Sequence, residues 1–97
     1  MSTETNYRMP SALCLQHCCK LSVLEDKPIM LDYWTSSLDN KIIIGVKESQ
    51  EKLLVKSEDE YTSPINNIYK VETEYIIVTA NSIYVVSNNI KSSRIHE

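Results

Sequence analysis

The sequence predicts a mainly β domain, a small antiparallel meander closing into an SH3-like or similar small barrel, with room for one short N-terminal helix. Three observations carry this. From Ile29 onward the chain is a series of short runs rich in β-branched and aromatic residues, and polar punctuation separates them at short intervals. Its 97 residues leave room for one core only. A hydrophobic fraction of 42% against a charged fraction of 24% is ordinary for a chain that buries such a core.

Residues 1–10 show no periodicity and end in Pro10, which reads as a flexible N-terminal tail. The single β-rich domain is expected over residues 11–90, and residues 91–97 as a frayed C-terminus. Two patterns compete at the start of the domain. Ser11 is placed to cap a helix with Cys14, Cys18 and Leu21 on one face, whereas Cys19, Leu21 and Val23 alternate with Lys20 and Ser22 as a strand would. The reading adopted is a strand over residues 18–24. The β-type runs that follow cover residues 29–34, 41–47, 52–56, 65–72, 75–79 and 83–87. Between them stand Glu25-Asp26-Lys27, Leu38-Asp39-Asn40, residues 48–51 and Ala80-Asn81-Ser82, where Asn tolerates positive φ. The one glycine, Gly45, falls inside a run and is expected to mark a bulge or the bend of a small barrel.

The final hairpin carries the most information. With the reversal at Ala80-Asn81 or Asn81-Ser82, one face holds Ile76, Val78, Ile83 and Val85, and the other Tyr75, Ile77, Thr79, Tyr84 and Val86. A sheet with one wet side needs one apolar face, so a hairpin apolar on both must be covered twice. The second cover is either the chain itself, through residues 12–24 or Tyr33-Trp34, or another molecule. On the second alternative, Tyr75, Ile77, Tyr84 and Val86 form a partner-binding surface, with Trp34 and Tyr61 as secondary contacts.

Several chemistries lack the residues they need. Cys14, His17, Cys18 and Cys19 are zinc-type ligands, but there is no second cysteine pair, and the other histidine is His96. No metal site and no cofactor are expected. A Cys-His nucleophile lacks any third orienting group. Glu58, Asp59 and Glu60 read as a solvated loop beside Tyr61, Thr62 and Ser63. Phosphate-cradling loops need glycines the chain does not have. Three clustered cysteines suit reduced thiols and hence the cytoplasm, a host's if the protein is viral. No run approaches the length of a membrane span.

These bounds favour a non-enzymatic protein-interaction module that self-associates into a homo-oligomer or docks on a protein partner. Its Asn, Ile, Lys and Tyr usage is typical of AT-rich coding, which suits a small viral or phage accessory or inhibitor protein. An alternative is a small barrel that stacks single-stranded nucleic acid on Tyr33, Trp34 or the hairpin tyrosines, although a net charge of -3 argues against nucleic acid. Another is a protein that sequesters a small ligand or nucleotide.

Overall fold

The computed structural model describes residues 9–95. Along the chain lie α1 (Ala12–Glu25), β1 (Ile29–Met30), α2 (Trp34–Leu38), β2 (Ile43–Val46), β3 (Lys52–Ser57), β4 (Glu60–Tyr61), β5 (Ile65–Val71), β6 (Glu74–Thr79), β7 (Ile83–Ser87) and β8 (Lys91–Arg94). The strands make two four-stranded sheets, ordered β1-β7-β6-β5 and β4-β3-β2-β8. The fold is mainly β as expected, but neither sheet closes into a barrel. Nor is it a pure meander, since β1 pairs with β7 and β2 with β8 in parallel. The layers are helices, first sheet, second sheet.

Residues 12–25 are helical, which corrects the strand expected over 18–24. The Ser11 hydroxyl accepts from the Cys14 N–H at 3.2 Å and donates to the Glu74 carboxylate at 2.9 Å, so one side chain both caps the helix and ties it to β6. Such a cap contributes about 1 kcal/mol. At the other end Asp26 enters the left-handed region at φ 56, and its N–H returns to the Ser22 carbonyl. Helical spacing then buries Cys14 and Cys18 completely and brings Leu21 against the same cluster.

The run expected over residues 29–34 is strand only at Ile29–Met30; Trp34 instead opens α2. Helix α2 lies on β7 through a buried polar joint. The Ser37 hydroxyl donates to the Trp34 carbonyl at 2.6 Å and accepts from the Ser87 N–H at 2.9 Å, leaving no orphan group at this contact. At the C-terminal end, residues 91–94 are not frayed but form β8, in register with β2 from Ile43↔Lys91 to Val46↔Arg94. Residues 1–8 of the expected tail and residues 96–97 lie outside the described residues. Pro10 is already buried.

The β6–β7 hairpin turns at Ala80-Asn81, with Val78 paired to Ile83. Its closure does not use positive φ at Asn81. The Thr79 hydroxyl accepts from the N–H groups of Asn81 and Ser82 and donates to the Ser82 carbonyl at 3.0 Å. Both faces of this hairpin are covered by the chain itself. Ile76, Val78, Ile83 and Val85 pack under Cys14, Cys18 and Trp34. Ile77 and Val86, with Tyr75 and Tyr84 beside them, pack against Ile42, Ile44 and Leu54 of the second sheet and against Tyr33. No helix among the described residues is long and apolar enough to cross a membrane.

Candidate functional site: the outer face of the second sheet

The segment around β2 reads Lys41-Ile42-Ile43-Ile44-Gly45-Val46-Lys47, and β3 opens with Lys52-Leu53-Leu54-Val55. Consecutive apolar residues in a strand point to opposite faces, so each strand is apolar on both. Ile42, Ile44 and Leu54 point inward to the first sheet. Ile43, Leu53 and Val55 therefore point outward.

Register assembles that outer face row by row. Tyr61 of β4 lies beside Val55, Val55 beside Ile43, and Ile43 beside Lys91. In the next row Leu53 lies beside Gly45, and Gly45 beside Ser93. Ile95 continues past β8, its N–H bonded to the Val46 carbonyl at 3.0 Å, and its side chain lies over Gly45. A β-carbon at position 45 would stand 2.9 Å from both Ile95 Cδ1 and Val55 Cγ2. Gly45 thus sits in a regularly paired strand and makes room for two side chains, which corrects the bulge or bend expected there.

The result is an open groove of about 850 Å³. Its floor is aliphatic, with Ile43, Leu53, Val55 and Ile95. Tyr61, 60% exposed, stands as a wall, and Lys41, Lys47, Lys56 and Glu58 line the rim. Two of the lysines have carboxylate neighbours, Lys47 with Glu51 at 3.7 Å and Lys56 with Glu60 at 3.8 Å. Lys56 Nζ also lies 5.6 Å from the centre of the Tyr33 ring.

Of the partner-binding residues expected from sequence, only Tyr61 is on this surface. Ile77 and Val86 have no exposure, and Trp34 keeps 5%. Tyr75 and Tyr84 are half-buried against the cluster between the sheets, and the Tyr84 and Tyr33 rings meet at 5.2 Å and 55°. Burial raises the Tyr84 phenol, helped by the charge of Asp32, and pushes Tyr33 up to about 12, helped by Glu60. The face expected as a docking surface is thus an internal layer contact, covered by Ile42, Ile44 and Leu54 from the second sheet. Ile43, Leu53 and Val55 were missed. Their signal was present in the unbroken apolar runs of β2 and β3, which carry the same two-sided argument as the final hairpin.

The cysteines sit elsewhere. Burial raises the Cys14 thiol, with the Glu74 carboxylate adding to it, and burial pushes Cys18 up to about 12, with Cys14 adding to it. Both are held as protonated thiols at neutral pH, poor nucleophiles and poor ligands. Cys19 points to solvent. Among the described residues no three His, Cys, Asp or Glu side chains converge to hold a metal ion. Comparisons of the chain with protein-family models, curated proteins and solved structures found no match.

Proposed function

We propose that the chain is a non-enzymatic protein-interaction module whose working surface is the groove on the outer face of the second sheet. The carrying observation is that the aliphatic residues Ile43, Leu53, Val55 and Ile95 line a groove on the side of the second sheet turned away from the first sheet and the helices, with no further layer of described residues over it. An apolar centre with a charged rim of Lys41, Lys47, Lys56 and Glu58 matches the anatomy of protein interfaces. Free cysteines at Cys14, Cys18 and Cys19 suit a cytoplasmic setting. The nucleic-acid alternative is less favoured, because Tyr33, Trp34, Tyr75 and Tyr84, its stacking residues, pack inside and leave Tyr61 alone on the groove.

The test is selection of binding peptides from a random display library against the folded chain. Enriched peptides should bind the parent and lose binding to Val55→Asp, while Leu24→Asp, on the exposed end of α1, leaves binding unchanged. Peptides indifferent to Val55→Asp, or no enrichment, would remove the reading.

One observation favours a second reading, a small apolar ligand. The groove's volume of about 850 Å³ falls within the range of small-molecule sites, which runs from roughly 300 to 1,000 Å³. Native mass spectrometry of the protein taken from its producing cell should then show a bound mass that Val55→Asp loses.

A further inference from the structure

The open face is electrically polarised across its width. After the pairs Lys47–Glu51 and Lys56–Glu60 are set aside, Lys41 and Lys91 remain on the β2–β8 side with no ion partner among the described residues. Glu58 and Asp59 remain in the turn between β3 and β4, on the opposite side, likewise without one. All four lie toward the same end of the strands. Lys91 is level with Ile43, and the antiparallel register extended two residues past Ile43↔Val55 brings Lys41 toward Ser57, where β3 ends. Between the two charged margins runs the aliphatic floor.

Such a face can be brought onto a copy of itself in two simple ways. A two-fold axis lying in the face and perpendicular to the strands keeps each margin on its own side but reverses the strand ends, so the charges of one copy lie over the far end of the other and find no opposite charge. A two-fold axis parallel to β2 and β3 exchanges left and right while keeping the ends of the strands together. Lys41 and Lys91 of one copy then meet Glu58 and Asp59 of the other, twice, as an isologous contact requires. The same rotation moves Tyr61, in the row of Val55, Ile43 and Lys91, from the β4 edge of its own sheet to a place over β8 of the second copy. The wall of each groove thereby comes down beside Lys91 and Ile43 of the other, filling the side that its own Tyr61 does not reach.

Resting on the groove being the working surface, we infer that its occupant is a second copy of this chain, docked face to face about a two-fold axis parallel to β2 and β3. The contact is small. Four strands at their usual spacing and about six residues of length make a face of roughly 400 Å² per copy, below the roughly 800 Å² of a standard interface. The dimer is accordingly weak, forms in the micromolar range or above, and loosens with salt, because its selecting charges are exposed.

Sedimentation of the full chain from low micromolar to near-millimolar concentration tests this. The expected result is a reversible monomer–dimer equilibrium that Val55→Asp abolishes. Two exposed double variants address the axis. Lys41→Glu with Lys91→Glu makes both margins acidic, and Glu58→Lys with Asp59→Lys makes both basic. Each alone should weaken self-association about tenfold or more, while an equimolar mixture of the two should form heterodimers tighter than either homodimer. Circular dichroism checks that every variant keeps the parent fold. A parent that stays monomeric throughout, a dimer untouched by Val55→Asp, or a mixture no tighter than its components overturns the inference. If the chain is monomeric yet library peptides bind in a Val55-dependent way, the second copy is ruled out while the interaction surface stands. If neither associates, both fall.

Discussion

Strands β6 and β3 lie at the centres of their sheets and meet different fates on their two sides. In β6, Ile76 and Val78 sit under the helices and Ile77 under the second sheet, none more than 1% exposed. In β3, Leu54 points into the molecule with no exposure, while Val55, half-buried, and Leu53, 4% exposed, line the groove on the outer face. Two sheets present four faces. The helices lie on one and the sheets pack their inner faces together, and among the described residues no further layer lies on the fourth. Two-sided apolar patterning therefore has two meanings in this molecule: a middle layer in the first sheet and an unfilled surface in the second.

The sharpest way to break the comparison is to truncate one side chain in each setting. Ile77→Ala removes atoms from a fully enclosed site between the sheets, and about 2–5 kcal/mol of stability should go with them. Val55→Ala, at the half-buried outer face, should cost under about 1 kcal/mol. Urea denaturation of the two variants measures both. Equal losses would mean that the outer face is packed as tightly as the inner one.

A smaller effect is expected at the joint between α2 and β7. Ser37→Ala removes the acceptor of the Ser87 N–H in a fully buried site, and the orphaned donor should cost about 1–3 kcal/mol. Ser93→Ala, on exposed β8 beside Gly45, should change stability by no more than about 0.5 kcal/mol. A Ser93 variant as damaging as the Ser37 variant would contradict the distinction between the covered and uncovered sheets.

Much of the first sheet was legible because its strands are the residues with the strongest β preferences, Ile76-Ile77-Val78 and Ile83-Tyr84-Val85-Val86, and because the reversal at Ala80-Asn81 fixes their faces. What escaped was carried by residues with weak or conflicting local signals. Cys18 and Leu21 fit a helix with Cys14, while Cys19, Leu21 and Val23 fit a strand, and long-range contacts favour the helix: the tie from Ser11 to Glu74 and the burial of Cys14 and Cys18 against the first sheet. Helix α2 is Trp-Thr-Ser-Ser-Leu, poor in strong helix formers, and is held by burial of Trp34 and Ser37. Strand β8 is Lys-Ser-Ser-Arg, all four residues exposed, and it exists through backbone pairing to β2 rather than through any apolar pattern. The groove was hard to read because the apolar runs of β2 and β3 are short and bounded by Gly45 and the lysines at their ends, so their two-sided character is weaker than that of the final hairpin.

Alkaline pH probes the cover of the first sheet. Cys14, Cys18, Tyr33 and Tyr84 all have raised folded pKa values, mainly through burial. Between the ordinary thiol value of 9.0 and the folded value of about 12 for Cys18, the unfolded chain loses its proton while the folded chain keeps it. Stability is therefore intact below pH 9.0, falls as pH rises through this window, and stops falling on this account above about 12. The tyrosines add a parallel loss that begins nearer 10.0. Thermal melts should show the decline, and Cys18→Ala should make it shallower. Thiol labelling of the native protein at neutral pH should modify Cys19 and spare Cys14 and Cys18.

A small net effect is expected at Gly45, and it bears most directly on whether the outer face is free to give. A methyl there meets Ile95 Cδ1 and Val55 Cγ2 at 2.9 Å, closer than side chains tolerate. Inside a packed core, overfilling of this kind costs about 1–3 kcal/mol. Here both obstructing atoms are the ends of half-buried side chains beside an open groove, and they can swing outward. Alanine also removes the entropic penalty of glycine in a strand, about 0.5–1 kcal/mol by analogy with other regular structure. The two effects nearly offset, so Gly45→Ala should leave monomer stability within about 1 kcal/mol of the parent. The displaced Val55 and Ile95 should instead alter the groove, and with it the concentration dependence of self-association. A loss of several kcal/mol in the dilute monomer would show that Val55 and Ile95 are locked in place, and that the face counted as uncovered is in fact filled.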